Sequence, residues 1–97
     1  MLTTKQRSNL NRLAQKLPTM VFIGKNGLTD AVYAQINETL ELKELVKVGI
    51  QKAADLSSAE VINLLCQKLG ADPVHHIGSK AIIYRRSSKE GIEHIVF

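Results

Sequence analysis

The sequence of 97 residues is long enough for one domain with a hydrophobic core and too short for two, so we expect a single domain over residues 1–97. Its 44% hydrophobic and 23% charged residues are typical of globular proteins and exclude disordered, collagen-like and coiled-coil classes. The single cysteine, Cys66, excludes an intramolecular disulfide, and no segment approaches the ~20 apolar residues needed to cross a bilayer. We therefore expect a soluble, cytoplasmic protein with no membrane partner.

The net charge of +4 is less informative than the distribution of the charges along the chain. Residues 1–29 and residues 80–89 each contain several basic residues and no acidic one. If the fold brings the two segments together, they form one surface for a polyanion. The alternative is two solvated basic stretches with no common purpose. The basic residues are Lys5, Arg7, Arg12, Lys16 and Lys25 in the first segment, and Lys80, Arg85, Arg86 and Lys89 in the second.

The segment from Thr4 to about Leu17 has apolar residues at helical spacing and is predicted to form an amphipathic helix. Thr3 or Thr4 can cap its N-terminus, and Pro18 stops it. On a helical wheel, three basic residues form a narrow stripe on the side away from the leucines. One side of the helix should therefore pack, and another should stay basic. The three residues of the stripe are Lys5, Arg12 and Lys16.

Strands and helices alternate along the rest of the chain. A strand is predicted over residues 20–23, a helix from Thr29 with its apolar stripe at residues 28, 32, 36 and 40, and a buried strand over residues 45–50. Ser57-Ser58-Ala59-Glu60 is a capping box that starts a third helix, and Gly70 suits its C-terminal cap.

Residues 74–77 and 80–85 flank Gly78-Ser79, which predicts a hairpin with a type II′ turn. The resulting order is α-β-α-β-α-β-β. It predicts an α/β fold in which the first three strands run parallel in sense and the hairpin adds an antiparallel strand, giving a mixed four-stranded sheet packed by helices. The tail, residues 91–97, either extends the last strand or lies along the sheet.

The loop Gly24-Lys25-Asn26-Gly27 lies where a strand ends and a helix begins. Backbone N–H groups and the positive end of the helix dipole then point outward together, and Lys25 adds a mobile charge. The pattern matches neither the phosphate loop of nucleotide hydrolases nor the dinucleotide-binding fingerprint. It fits a clamp on an RNA backbone of the kind that KH domains make with a GXXG loop, although by itself it could be only a tight turn.

We find no catalytic or metal-binding constellation, and we expect neither an enzyme nor a cofactor. His75 and His76 are adjacent, so in a strand they point to opposite faces and cannot chelate one metal together. His94 has no carboxylate at a metal-ligand spacing, and Cys66 is interpreted as a small core residue. Most of the four aromatic residues are interpreted as core fillers. Lys47, inside an apolar strand, must reach solvent along its stem or serve an exposed face of the sheet.

Four segments follow one another in an order and spacing that resembles the CRM domain in its stand-alone bacterial YhbY-like form. They are Thr4-Lys5-Gln6-Arg7, residues 23–29, residues 44–48, and Ile77-Gly78 through Ile83-Tyr84-Arg85. The resemblance covers nearly the whole chain. It implies an α/β domain similar to the C-terminal domain of translation initiation factor 3. It also implies that the protein binds RNA and that, in bacteria, it associates with precursors of the large ribosomal subunit. Organellar relatives act in group II intron splicing.

Residue by residue, Gly24, Lys25, Asn26 and Gly27 match the family's RNA-contacting GxxG motif. The basic positions that match its charged surface are Lys5, Arg7, Arg12, Lys47 and Arg85, and Lys16 and Arg86 extend this surface. The sequence departs from the family pattern twice. Lys43 stands where the family commonly has His, and Gly49 replaces a bulkier charged or polar residue.

These observations together predict a monomeric RNA-binding factor that holds ribosomal RNA of large-subunit precursors through phosphate contacts. The alternative is a protein-interaction adaptor on the ribosome whose basic face meets an acidic partner. DNA would satisfy the electrostatics equally well, and only the family resemblance argues against it. An enzyme would require a histidine with a strongly shifted pKa in a cleft.

Overall fold

The computed structural model describes residues 2–97 and confirms the predicted order of elements. A short 3-10 helix, Lys52–Ala54, follows the second strand and was not predicted. The three helices are α1 (Thr4–Ala14), α2 (Asp30–Lys43) and α3 (Ser58–Leu69), and the four strands are β1 (Val21–Ile23), β2 (Leu45–Ile50), β3 (Asp72–Ile77) and β4 (Lys80–Tyr84).

The strands form one mixed sheet in the order β1-β2-β4-β3. β1 pairs with β2 in parallel, and β4 runs antiparallel to both of its neighbours, β2 and β3. The predicted senses of the strands are therefore confirmed. The last strand does not extend the sheet at its edge, because it lies between β2 and β3. β2 and β4 are consequently the two central strands, which explains why both are almost entirely apolar.

One face of the sheet, called here the helix face, is covered by α2 and α3 and contains the main hydrophobic core. Its side chains alternate along each strand with those of the opposite face, as the pleat requires. The buried members are Val21, Ile23, Val46, Val48, Ile50, Ala81 and Ile83 from the strands, and Ile36, Leu40, Val61, Ile62 and Leu65 from the helices.

The opposite face, called the α1 face, is covered at one end by α1 and by the C-terminal tail. Leu10 and Ala14 of α1 pack in a second buried cluster with four strand residues, Leu45, Val74, Ile82 and Tyr84. Phe97 meets Tyr84 edge to face, with 4.9 Å between the ring centroids. The tail therefore lies along the sheet, which is the second of the two arrangements expected from the sequence.

The helix caps confirm the local sequence signals. Thr3 and Ser57 each form a reciprocal capping box with the residue three positions later, and Thr29 accepts a hydrogen bond from the amide of Val32. Gly70 caps α3 in the left-handed conformation. Gly78 has a φ of 55° in the predicted hairpin turn, and Ser79 is not among the residues with positive φ, as a type II′ turn requires.

Several predicted boundaries are wrong by one to three residues. α1 ends at Ala14 instead of about Leu17, because the amides of Lys16 and Leu17 bond three residues back, in the tighter geometry that often precedes a proline. β1 begins at residue 21 instead of 20. β3 begins at residue 72 instead of 74, and β4 ends at residue 84 instead of 85.

Glu44 follows the last turn of α2 and is a fully buried charged residue. Its carboxylate accepts hydrogen bonds from the amide of Ser87 at 2.7 Å and the amide of Ile95 at 2.8 Å, and His94 Nδ1 lies 2.5 Å away. Burial raises the pKa of Glu44, but these three partners more than offset it, so the pKa lies below its ordinary value of 4.5. The carboxylate thus joins the end of α2 to the C-terminal tail.

Replacing Glu44 by Gln should lower the free energy of unfolding at neutral pH by about 1–3 kcal/mol, because one of the two backbone amides that donate to the carboxylate loses its acceptor. The folded-state pKa of Glu44 is lowered, so its contribution is fully present above pH 4.5 and is lost as the pH falls through the folded-state value. The difference between wild type and variant should therefore narrow in acid. Urea unfolding over a pH series measures it.

The exposed residue Glu38, also on α2, provides the control, since Glu38→Gln removes the same charge without a buried bond. An equal loss in Glu38→Gln would mean that net charge, and not the buried carboxylate, sets the effect.

Candidate nucleic-acid interface

The loop Gly24-Lys25-Asn26-Gly27 is a tight turn at the end of β1. The amide of Gly27 donates to the carbonyl of Gly24 at 2.9 Å, and Gly27 has a φ of 71°, which an L side chain rarely adopts. A Cβ on Gly24 would lie 3.3 Å from Gln51 Oε1, so this glycine lies close to the segment that follows β2. Glycine therefore suits the two positions for different reasons. Gly27 adopts a backbone conformation that other residues disfavour, and Gly24 lies close to a neighbouring segment.

The two central residues of this turn face solvent. Lys25 and Asn26 are exposed, and no residue of the described chain accepts a hydrogen bond from either backbone N–H. α2 begins at Asp30, with its N-cap at Thr29, so its positive end lies close to the turn. The carboxylate of Asp30 offsets part of that potential. Two adjacent amides and the ammonium of Lys25 are thus the groups available to an anion.

Apart from Lys25 in the loop, the basic residues of the first segment lie on the surface of α1 or just beyond its end. Lys5 and Arg12 are exposed on the side away from the sheet, as the helical wheel predicts, and Lys16 lies in the turn that follows the helix. Arg7 lies on the flank toward β3, where it lines a shallow pocket with Val74 and His75. The predicted basic surface of α1 is therefore present and contains no carboxylate.

The second basic segment is divided between the two faces of the sheet. Lys80 shares the α1 face, because its neighbour Ala81 points into the core of the helix face. Arg85 lies on the other side, where its guanidinium donates to Asn37 and to the carbonyl of Leu69, each at 2.8 Å. The structure therefore joins Lys80, but not Arg85, to the first segment, and Arg86 is exposed beyond the end of β4.

The charged ends of Arg85 and Lys47 are both used inside the protein. Arg85 also lies 3.6 Å from the carboxylate of Glu41, so its fork joins the C-terminal halves of α2 and α3 to the end of β4. The half-buried Lys47 donates from Nζ to the carbonyl of Leu17 at 2.9 Å and connects β2 to the end of α1. Both residues have a structural task that the charge pattern alone did not reveal.

A row of four residues across the α1 face, called here the open strip, lies between α1 and the loop end of the sheet. The pairing register places Phe22 beside Gly49, Gly49 beside Lys80, and Lys80 beside Ile77. Phe22 is 56% exposed and Ile77 is 64% exposed, so α1 does not cover this row. Because side chains alternate along a strand, the sequence indicates that Phe22 points to the face opposite that of Val21 and Ile23. Which part of that face α1 leaves open could not be read from the sequence.

The charges around the loop differ between its two sides. On the helix side, a groove that includes Lys52, Asp55, Ser57 and Glu60 contains two acidic residues. On the α1 side, neither the open strip nor any residue between positions 2 and 29 is acidic. A polyanion therefore meets a favourable potential on the α1 side of the loop.

The residues considered for catalysis have ordinary structural environments. His75 lies on the α1 face beside Arg7, whereas His76 lies on the helix face with Nδ1 3.1 Å from Ser58 Oγ, which confirms that they point apart. Within residues 2–97, no three His, Cys, Asp or Glu residues are close enough to hold a metal ion. Burial, with a smaller effect from Asp72, raises the pKa of Cys66 to about 11, so its thiol stays protonated.

The helices in the described part of the chain lack the length and apolar composition that a membrane span requires.

The family model described as the CRS1/YhbY (CRM) domain matches residues 2–85. The chain belongs to the CRS1/YhbY (CRM) domain family. A Haemophilus influenzae CRM relative named "RNA-binding protein" is 36% identical over 92 residues, which are 95% of this chain and 93% of the relative. A Bacillus subtilis relative named "Probable RNA-binding protein YqeI" is 32% identical over 89 residues, covering 92% of this chain and 93% of the relative.

The CRM fold is also seen in a similar solved structure. The solution structure of a hypothetical protein from Staphylococcus aureus superposes with a TM-score of 0.70 at 33% sequence identity, covering 98% of this chain and 100% of that protein. The resemblance inferred from the motifs is thus confirmed for both the family and the fold.

Gly27→Ala should lower the free energy of unfolding by about 1–2 kcal/mol, because a Cβ is strained at positive φ. Its nearest neighbour, Leu56 Cδ1, would lie at 3.9 Å, so the cost is one of conformation and not of collision. Gly24→Ala is the matched control, since the crowding there comes only from the flexible end of Gln51. Thermal or urea unfolding of the two variants measures the difference. Equal losses of unfolding free energy would contradict the conclusion that Gly27, but not Gly24, is needed for its backbone conformation.

Proposed function

We propose that this chain binds structured RNA by its phosphate backbone, with the Gly24 to Gly27 loop as the principal clamp. The observation that carries the proposal is the pair of free amides at Lys25 and Asn26, beside an exposed ammonium, next to an open strip without carboxylates. Backbone N–H groups and lysine together form a common type of phosphate site. The names of the Haemophilus and Bacillus relatives support RNA as the polyanion.

The proposed interface extends from the loop over the α1 face. Lysine and arginine side chains on α1 follow the RNA backbone on one side of the open strip, Lys80 lies within the strip, and Lys25 lies on its other side. About four to six phosphates would then be neutralised, which is enough for salt-dependent binding at moderate affinity. Lys47 and Arg85 contribute less, since their charged ends are engaged within the protein. The interface residues are Lys5, Arg7, Arg12, Lys16, Lys25 and Lys80, with Arg86 at its periphery.

The RNA is proposed to be ribosomal RNA in precursors of the large subunit, with the protein acting as a cytoplasmic, monomeric assembly factor that uses no cofactor. This finer assignment depends on the family resemblance and not on any particular contact. Phosphate contacts position a protein without reading the base sequence, so recognition would depend on the shape of the RNA or on a neighbouring ribosomal protein.

A Lys25→Ala, Asn26→Ala double variant should bind a structured ribosomal RNA fragment more weakly than wild type. Across a salt series, the slope of log K against log salt should be about −3 to −5 for wild type and shallower by about one for the variant, because one phosphate contact is lost. Unrelated structured RNAs should lose affinity to a similar degree. Filter binding or fluorescence anisotropy provides the constants.

Lys68→Ala is the charge-matched control, because Lys68 is exposed on α3, which covers the helix face. An equal loss of RNA affinity in this control would show that net charge alone explains the effect of the double variant. Absence of RNA binding at low salt by the folded wild type would sink the proposal and favour a protein adaptor. Nuclease treatment of ribosomal particles separates these two functions, since only an RNA-dependent association is lost.

A further inference from the structure

We propose that the open strip is a stacking site for an unpaired nucleobase, with Phe22 receiving the base and Lys80 the adjoining phosphate. This inference rests on the proposed RNA-binding function and adds a second kind of contact to it. A backbone clamp accepts any duplex. A stacking site would direct the protein to places where a nucleotide is unpaired.

Phe22 is an aromatic residue that the fold leaves exposed to solvent on the surface of the sheet. It sits in the middle residue of β1 between Val21 and Ile23, which are both buried on the helix face. Phe22 itself is 56% exposed, although α1 and the tail bury the other large apolar residues toward the opposite end of the same face. A flat π surface next to phosphate-binding groups is the usual element of single-strand recognition.

Gly49 determines the position of the ring. A Cβ at this position would lie 2.9 Å from Thr19 Cγ2 and 3.0 and 3.1 Å from Cδ1 and Cε1 of Phe22. Real Cβ atoms do not approach as closely as 2.9 Å and rarely approach to 3.0–3.1 Å, so a side chain at position 49 would push Thr19 aside and crowd the ring. The absence of a side chain there lets Phe22 lie against the backbone of the central strand β2, leaving its remaining surface open to solvent.

Lys80 supplies the charge next to the ring. Its Nζ lies 5.7 Å from the centroid of Phe22 and donates to Thr19 Oγ1 at 3.0 Å. The ring and the hydroxyl thus hold the ammonium over the ring, where it faces a phosphate next to the stacked base, and an ammonium has three donors, so two remain for that phosphate. Ile77 continues the apolar surface on the far side of Lys80.

The chemistry of the surroundings favours a nucleotide over an apolar protein segment. The strip contains a lysine and no carboxylate, the loop begins two residues after Phe22, and the flank of α1 that holds Arg7 borders the same face. A nucleotide offers an aromatic face to the ring and negative charge to each of these cations. Inside a helix both faces of a base are already stacked, so the base must be unpaired.

The experiment compares three RNAs that share one duplex. The first is blunt, the second has an unpaired 3′ tail of two adenosines, and the third has the same tail with abasic riboses, which keep the phosphates and remove the bases. Wild type should bind the adenosine tail about tenfold more tightly than the abasic tail, within the range measured for one aromatic stacking contact. Fluorescence anisotropy at one fixed salt concentration gives the three constants.

The Phe22→Leu variant keeps an apolar side chain but removes the π surface. It should bind the adenosine and abasic tails equally while its affinity for the blunt duplex stays unchanged. Leu64→Ala is the control, since Leu64 is also a partly exposed apolar residue, on α3 at the opposite side of the molecule. That variant should keep the tenfold difference. The Lys25→Ala, Asn26→Ala double variant should weaken all three RNAs by a similar factor.

The outcomes separate the inference from the proposed function. If wild type binds all three RNAs with one affinity, or if Phe22→Leu still prefers the adenosine tail, the stacking site is wrong and the backbone clamp stands. If folded wild type binds none of the RNAs at low salt, both ideas fail together.

Discussion

The hydrogen-bond register between β1, β2 and β4 is the constraint on which the rest of this structure depends. Because side chains alternate, a slip of one residue would exchange the two faces of a strand and carry its buried residues into solvent. The register places Val21, Val48 and Ala81 together in the main core. The same pairing places Phe22, Gly49 and Lys80 side by side on the opposite face. Core formation and the open strip are thus consequences of one set of backbone bonds.

The two faces of the sheet have different tasks. The helix face contains most of the apolar residues and is closed by α2 and α3, with the buried carboxylate of Glu44 and the guanidinium of Arg85 fixing the helix ends. The α1 face is covered only at the end away from the loop, where α1 and the tail pack. Because stability is supplied elsewhere, the uncovered part can expose an aromatic ring and basic residues that a core would exclude.

Features set by local interactions were predictable from the sequence, and features set by tertiary packing were not. The capping residues Thr29 and Ser57 act within one helical turn, so their residue types and spacing were sufficient evidence. The position of β4 between β2 and β3 depends on contacts between distant segments. The engagement of Arg85 by Asn37 and Leu69 likewise joins residues 48 and 16 positions apart. Charge patterning alone could not distinguish this structural arginine from a surface one.

The close packing of Phe22 on Gly49 links two positions that are far apart in the sequence. The ring at position 22 lies against the sheet where position 49 lacks a side chain, and a bulkier residue at 49 would crowd that space. The two positions should therefore vary together among CRM domains: an aromatic residue at the first with glycine at the second, or a smaller residue with a larger one. The family can thus divide into members with an aromatic surface beside the shared loop and members without one.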